Sequence, residues 1–208
     1  VNVVACLIVL FGAFMGTESP LTVTQMLWVN IIMDTFAAMA LASLPPSQSV
    51  MQEKPRSRNA FIITRLMKWD IITVGGIFFI ILLALLYLFH HTYIEGLDSM
   101  FPLNLSAEGH DLSPYELSLF FSIFVFMQFW NMFNARSFET RKSAFHLKGC
   151  SEFLLIACAI FFGQVLIVEF GGEMFNVVPL RFIDWVIIVV ATSPILWFGE
   201  IIHLFKRS

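Results

Sequence analysis

Five uninterrupted apolar runs, at about 21–44, 67–89, 115–135, 150–170 and 182–204, leave this chain few folds to choose from. Each is long enough to cross a bilayer as a helix, which takes about twenty residues for roughly 30 Å of hydrocarbon. None shows the roughly ten-residue alternating pattern of a transmembrane barrel strand, and a helix satisfies its own backbone polar groups where no water can. A shorter apolar run at about 1–16 reads as a truncated span. It has no basic leader and no small-residue cleavage pattern, so a signal peptide is not expected there. The fold class that follows is all-α, a polytopic transmembrane helical bundle of six segments, within a single domain over 1–208. An even number of passes puts both ends on one side.

The basic residues set the orientation. Of twelve Lys and Arg, five lie at 54–68 and four at 136–148, while Lys206 and Arg207 close the chain. The 90–114 connection carries Glu95, Asp98, Glu108 and Asp111 with no Lys or Arg, so the positive-inside rule places it outside. The loops 45–66 and 136–149 and the carboxy-terminus are then cytoplasmic. A mean hydropathy of +0.82 and only 13% charged residues exclude an ordinary soluble domain and argue against nucleic-acid binding, which makes the lipid bilayer the first expected partner. Cys6, Cys150 and Cys158 fall in or beside apolar runs and are expected to act as small hydrophobes, with no disulfide framework or zinc site.

Pro45-Pro46 ends the second segment. Gly75-Gly76 and Gly163 permit close helix approach. The five Trp divide between interfacial anchors and packing.

Polar residues inside the runs carry the functional information. Asp34 lies in Leu27-Trp28-Val29-Asn30-Ile31-Ile32-Met33-Asp34-Thr35-Phe36, where an unpartnered charge costs roughly 3 kcal/mol or more. Asn30 precedes it by four residues, so one helical face offers an amide oxygen and a carboxylate. Those hard donors suit Ca2+ and similar cations; the other reading is a polar pair joining helices. Gln128, Asn131 and Asn134 form a second polar row. Gln128 lies deep enough to be a ligand, to support one, or to join helices, whereas Asn131 and Asn134 read as structural. Glu169 and Glu200, near span ends, receive no site role, and His90-His91 read as solvated interface residues. No phosphate-binding Gly-Lys-Ser/Thr loop, serine elbow or His-Glu-x-x-His pair occurs, so no energy-transducing chemistry is written in this chain.

The run Gln25-Met26-Leu27-Trp28-Val29-Asn30-Ile31-Ile32-Met33-Asp34-Thr35, then Ala42-Ser43-Leu44-Pro45-Pro46 and Lys54-Pro55-Arg56-Ser57-Arg58-Asn59, resembles the carboxy-terminal transport region of P-type calcium ATPases, most closely the plasma-membrane (type IIB) kind. Val1-Asn2-Val3-Val4-Ala5, Met127-Gln128, Asn134-Ala135-Arg136 and Phe170-Gly171-Gly172 extend the likeness over essentially the whole chain. The resemblance implies helices five to ten of a ten-helix core. It implies that Asn30 and Asp34 are ion ligands on the sixth helix, that Asn2 is a ligand on the fifth, and that Gln128 is peripheral. Ala5 and Gln128 stand where two-site reticulum pumps carry glutamates, implying one Ca2+ per ATP. Met33 replaces a threonine of those pumps, leaving its carbonyl as the only hard donor.

By the same likeness Ca2+ is the transported ion, and Mn2+ remains an alternative because it takes similar oxygen ligands. ATP and Mg2+ would act only through phosphorylation, nucleotide-binding and actuator domains absent from this chain, so the parent is an expected translocase while the fragment alone is not an enzyme. Its further partners are the missing amino-terminal helices and cytoplasmic domains of the same pump, the subtype implies residence in the plasma membrane, and the 45–66 loop either relays motion to those domains or serves topology alone. Burial of Asp34 implies that it takes up a proton once the ion leaves, giving H+ countertransport. A non-enzymatic helical module, channel-like or scaffolding, is the competing class, and no long regulatory tail is expected after the last span.

Overall fold

The computed structural model describes residues 1–44, 61, 63–100, 105–106, 108–137 and 150–197. Among these residues the secondary structure is helical without strands, as the apolar runs demand. Helix α1 spans Asn2–Met15 and α2 Val23–Asn30; a π-helical segment, Ile31–Ala37, joins α2 to α3, Ala38–Ala42. Then follow α4, Arg65–His91; a 3₁₀ turn, Leu97–Ser99; α5, Pro114–Ser137; α6, Ser151–Phe170; α7, Gly172–Phe175; and α8, Phe182–Thr192. Four helical stretches are long and apolar enough to cross a membrane: Val23–Ala42, Met67–His91, Pro114–Arg136 and Ser151–Phe170. Asn2–Met15 and Phe182–Trp197 are shorter apolar helices. The loops 45–66 and 136–149 and the end of the chain lie largely outside the described residues.

Helix α5 is the axis of the bundle. Of its apolar window 78% is buried inside the protein, against 17% for α4 and 28% for α6. Leu119, Phe120, Phe121 and Phe124 are fully enclosed, so this helix shows almost no lipid face and reads as apolar all round. It packs against α4, α6 and α8, while α1 lies on α4 and the π segment with α3 lies on α6. The outer helices bury one side and expose Ile71, Ile72, Ile80, Leu155, Phe162 and Leu166 on the other, which in a bilayer meets acyl chains.

Local sequence sets the turns. Gly16, at φ 79°, supplies the left-handed residue that ends α1. Thr22 and Gln25 then form a reciprocal capping box that starts α2: the Gln25 N–H donates to Thr22 Oγ1 at 3.3 Å and the Thr22 N–H donates to Gln25 Oε1 at 3.0 Å. The spare Gln25 amide N–H donates to the Phe175 carbonyl at 2.9 Å, fastening this end of α2 to α7. Thr64 caps α4 through the Met67 N–H.

Polar side chains link the helices. The indole N–H groups of Trp130 and Trp185 donate to Thr192 Oγ1 and Glu169 Oε1, at 2.9 and 2.8 Å. The Asn134 amide donates to the Ile195 carbonyl at 2.8 Å, which is the structural role its sequence position suggests. Trp69 and Trp197 are exposed, whereas Trp130 and Trp185 are packed into the bundle.

Three expectations change. His90 is tied in rather than simply solvated: its Nδ1–H donates to the His110 carbonyl at 2.7 Å, while the His110 N–H donates to the His90 carbonyl at 2.9 Å. These bonds satisfy helix-terminal groups that would otherwise be orphaned. A Cβ at Gly76 would meet nothing within 4 Å and one at Gly75 only Val4 at 3.8 Å, so neither glycine is required for close approach. Cys6 and Cys158 are exposed on helix surfaces rather than buried among hydrophobes.

The most connected polar group is a carboxylate that sequence reading passed over. Asp184 is fully buried at the start of α8 and accepts from the Leu97 N–H at 2.7 Å, the Arg181 Nε–H at 3.0 Å and the Tyr115 hydroxyl. Arg181 also pairs with Asp98, and its hydrogen bonds to Asp184 and then Asp98 raise its pKa further above the ordinary guanidinium value. One residue therefore ties the 92–113 connection, α5 and α8 together. Asp184→Ala strands a buried N–H and a hydroxyl, and should lower stability by about 2–4 kcal/mol, read as the denaturation midpoint in mixed micelles; an unchanged midpoint would show that the clamp is ornamental.

Candidate ion-binding cavity

Helices α1 and α2 form an antiparallel hairpin through the 16–22 turn, and a cavity of about 130 Å³ opens between them. Asn2, Ala5 and Cys6 of α1 line it together with Met26, Val29 and Asn30 of α2, and Phe124 of α5 closes one side. On each helix the lining residues fall at positions i, i+3 and i+4, one face of an α-helix. The hairpin sets the first residue of α1 opposite the last of α2. Asn2 and Asn30, twenty-eight positions apart in sequence, thus reach the same space.

Immediately after Asn30 the helix changes character. Residues Ile31–Ala37 are π-helical, with wider turns than the α-helices on either side. Such insertions loosen the regular ladder and recur at functional sites, where they redirect backbone carbonyls and side chains. Asp34 is the middle residue of this segment, and its side chain lies outside the described part of the structure, as does that of Met33. Ile32 is fully buried on one side of the segment and Thr35 is exposed. Thr35 therefore does not extend the buried polar face.

The structure unites two of the four candidate residues in one cavity wall and treats Gln128 differently. Gln128 is buried in α5, one turn beyond Phe124, and is not part of the lining. Its Nε2 has no hydrogen-bond partner among the described residues. A buried amide left partly unsatisfied next to the cavity's closing residue is unusual, because such groups normally find a partner. Among the described residues no three His, Cys, Asp or Glu side chains cluster to hold a metal.

What holds α2 in place is a contact the sequence did not advertise. The Trp28 indole N–H donates to Gln164 Oε1 of α6 at 3.0 Å, and Gln164 is buried. The ring packs over Gly163, where a Cβ would make only an ordinary contact with the indole at 3.5 Å. Trp28 also packs edge-on against Phe175. The side of α2 bearing Trp28 is thereby pinned to α6 and α7 next to Asn30. Cys6 and Met26 were likewise missed as wall residues; their only sequence signal is that each lies four positions from an asparagine.

Known proteins resemble this chain in sequence. The family model described as "Cation transporting ATPase, C-terminus" matches residues 18–205. Plasma membrane calcium-transporting ATPase 2 of Oreochromis mossambicus is 35% identical over 213 aligned positions, covering 100% of this chain and 18% of that protein. Plasma membrane calcium-transporting ATPase 4 of Homo sapiens is 33% identical, covering 95% of this chain and 16% of its own length. For plasma membrane calcium-transporting ATPase 1 of Gallus gallus the values are 34%, 100% and 17%. This chain thus spans about a sixth of the length of these relatives.

Replacing Trp28 with Phe removes the one hydrogen bond that the buried Gln164 amide makes among the described residues, and should cost about 1–3 kcal/mol in micelle denaturation; a loss no larger than that of an exposed Trp69→Phe control would count against the pinning role. A match over nearly all of its length, together with the helical bundle and its intramembrane amides, places this chain in the P-type cation-transporting ATPase family, as a carboxy-terminal membrane region of the plasma-membrane calcium-pump kind.

Proposed function

We propose that this chain forms part of the ion path of an ATP-driven Ca2+ export pump of the plasma membrane, with Asn2, Asn30 and Asp34 as ligands of a single Ca2+. The observation that carries this reading is the convergence of Asn2 and Asn30 on one cavity next to the π-helical turn that bears Asp34. Calcium takes six to eight oxygens at about 2.3–2.6 Å. Two amides and one carboxylate offer about four at most, so backbone carbonyls, water and the rest of the pump complete the shell. Asp34 supplies the charge. Ala5 and Gln128, neutral where a second site would need carboxylates, restrict the path to one ion.

The π-helical turn gives the site its capacity to switch. Transport requires that two conformations bind the ion with different affinity. A segment whose ladder is already irregular can change its carbonyl directions without breaking a full α-helix, while Trp28 and the Thr22–Gln25 cap hold the rest of α2 still. Phosphorylation and nucleotide binding belong to domains outside this chain, and the 45–66 loop is in position in the sequence to connect them with the site. Uptake of a proton by Asp34 after ion release belongs to the same proposal.

The deciding experiment is ATP-dependent 45Ca uptake into membrane vesicles by the full-length protein, with phosphoenzyme formation followed in parallel. Asp34→Asn should abolish uptake and Ca2+-dependent phosphorylation, and Asn30→Ala should raise the Ca2+ requirement at least about tenfold, as expected for losing roughly 1.4 kcal/mol or more of ligand binding. Uptake at the wild-type level in both variants would return these residues to interhelical joining. Substituting 54Mn for 45Ca tests the alternative cation directly.

A further inference from the structure

We propose that Gln164 is a positioning residue of the ion path: its free amide is a catch that closes on Ser122 of α5 in a second conformation, as α2 and α6 slide together against the axis of the bundle. This role depends on the α1–α2 cavity being an ion path, as proposed above. Ser122 Oγ and Gln164 Nε2 belong to residues that are 0% and 1% exposed, and neither atom has a hydrogen-bond partner among the described residues. Two helix seams meet at Gln164. On α5 and α6, Phe126 faces Phe161 with ring centroids 5.3 Å apart, and Phe133 faces Phe153 at 5.1 Å. Numbers fall along α5 as they rise along α6, so the two helices are antiparallel and these rings mark their seam. Ser122 stands one turn from Phe126 on the same face of α5, and Gln164 one turn from Phe161 on the same face of α6, both on the side away from Phe133 and Phe153. They are the next pair on that seam.

The pair is complementary, since an amide N–H donates and a hydroxyl oxygen accepts. Ser118, one turn further along α5, is fully used: it donates to the Pro114 carbonyl at 2.8 Å and accepts from the Val178 N–H at 2.9 Å. Ser122 makes neither kind of bond, although a helical serine can return its hydroxyl to the carbonyl four residues back. On its other side Gln164 is engaged. Its Oε1 accepts from the Trp28 indole at 3.0 Å, and the Gln25 amide donates to the Phe175 carbonyl, so α2 travels with α6 and α7. A buried donor and a buried hydroxyl without partners each lower stability, and a slide of packed helices that joins them removes both costs. The aromatic packing beside the pair opposes that slide, which is the condition for two arrangements of similar energy. A bond made in only one of them biases the equilibrium between conformations that differ in ion affinity.

The test is Ca2+-dependent phosphoenzyme formation by the full-length protein in membrane vesicles, with the unfolding midpoint in mixed micelles measured on the same preparations. Ser122→Ala should move the Ca2+ concentration for half-maximal phosphoenzyme at least about threefold, because one conformation loses its catch. It should leave the midpoint in place, because the hydroxyl has no partner to lose in this conformation. Gln164→Met, which keeps the length of the side chain, should also shift the Ca2+ requirement, and Ser122→Ala should add nothing in that background, as for two groups acting as one. A smaller shift in Ser122→Ala, or a fallen midpoint, overturns the proposal, the second because Ser122 then only joins helices. A full Ser122→Ala shift that persists beside Gln164→Met overturns it too. Where Gln164→Met does not fold, Ser122→Ala decides alone. Phosphoenzyme independent of Ca2+ in the wild type would sink the ion-path reading and this role together, whereas Ca2+ dependence with an unmoved Ser122→Ala sinks only this role.

Discussion

Hydrocarbon accepts no hydrogen bond, and the arrangement of this bundle follows from that constraint. A polar side chain placed in an apolar run gains by finding a partner on another helix, and a small set of donors that do so helps to fix how the helices meet. Trp28 with Gln164, Trp130 with Thr192, Trp185 with Glu169, and Asn134 with the Ile195 carbonyl each join elements far apart in sequence. Apolar packing around α5 supplies most of the contact area, but a Phe-rich surface fits many rotations of its neighbours almost equally well. The hydrogen bonds select one. Asp184 does the same at the end of the bundle, where Arg181, Tyr115 and the Leu97 N–H converge on a single buried carboxylate.

Against this background the α1–α2 cavity is an exception to good packing. Two amides, a thiol and a thioether line this hollow, and the helix beyond it departs from α geometry over the segment that carries Asp34. Sites that must bind and then release an ion are drawn from such weakly committed regions, because a fully satisfied ladder has no second arrangement of comparable energy. The capping box and the Trp28 pin confine the irregularity to one turn.

The length of the apolar runs was enough to specify the helices: α4 and α6 fall where periodicity and hydropathy place them, and Asn134 performs the structural role its position suggests. Asn30 stood out in the sequence because an amide in a lipid-compatible run is expensive and therefore informative, and Asn2 through the family resemblance; both line the cavity. Cys6 and Met26 did not stand out, since a sulfur residue in an apolar run costs nothing and carries no signal until a neighbour faces it. The tie of His90 to His110 and the burial of Asp184 were equally hidden, because both depend on a connecting loop folding back over helix ends. The π-helical turn has no composition marker at all: Ile31–Ala37 reads as ordinary apolar helix.

The sequence by itself determined that this chain crosses a lipid phase as helices, which residues within those helices are out of place there, and where turns must fall, since these depend on local transfer costs and local backbone preferences. Only the tertiary structure decided that Asn2 and Asn30 share one cavity while Gln128 stands behind it, and that a thiol and a thioether complete its wall. Which side chains meet depends on the rotation and register of packed helices. Those are set by the few long-range hydrogen bonds and the fit around α5, quantities that no single segment contains.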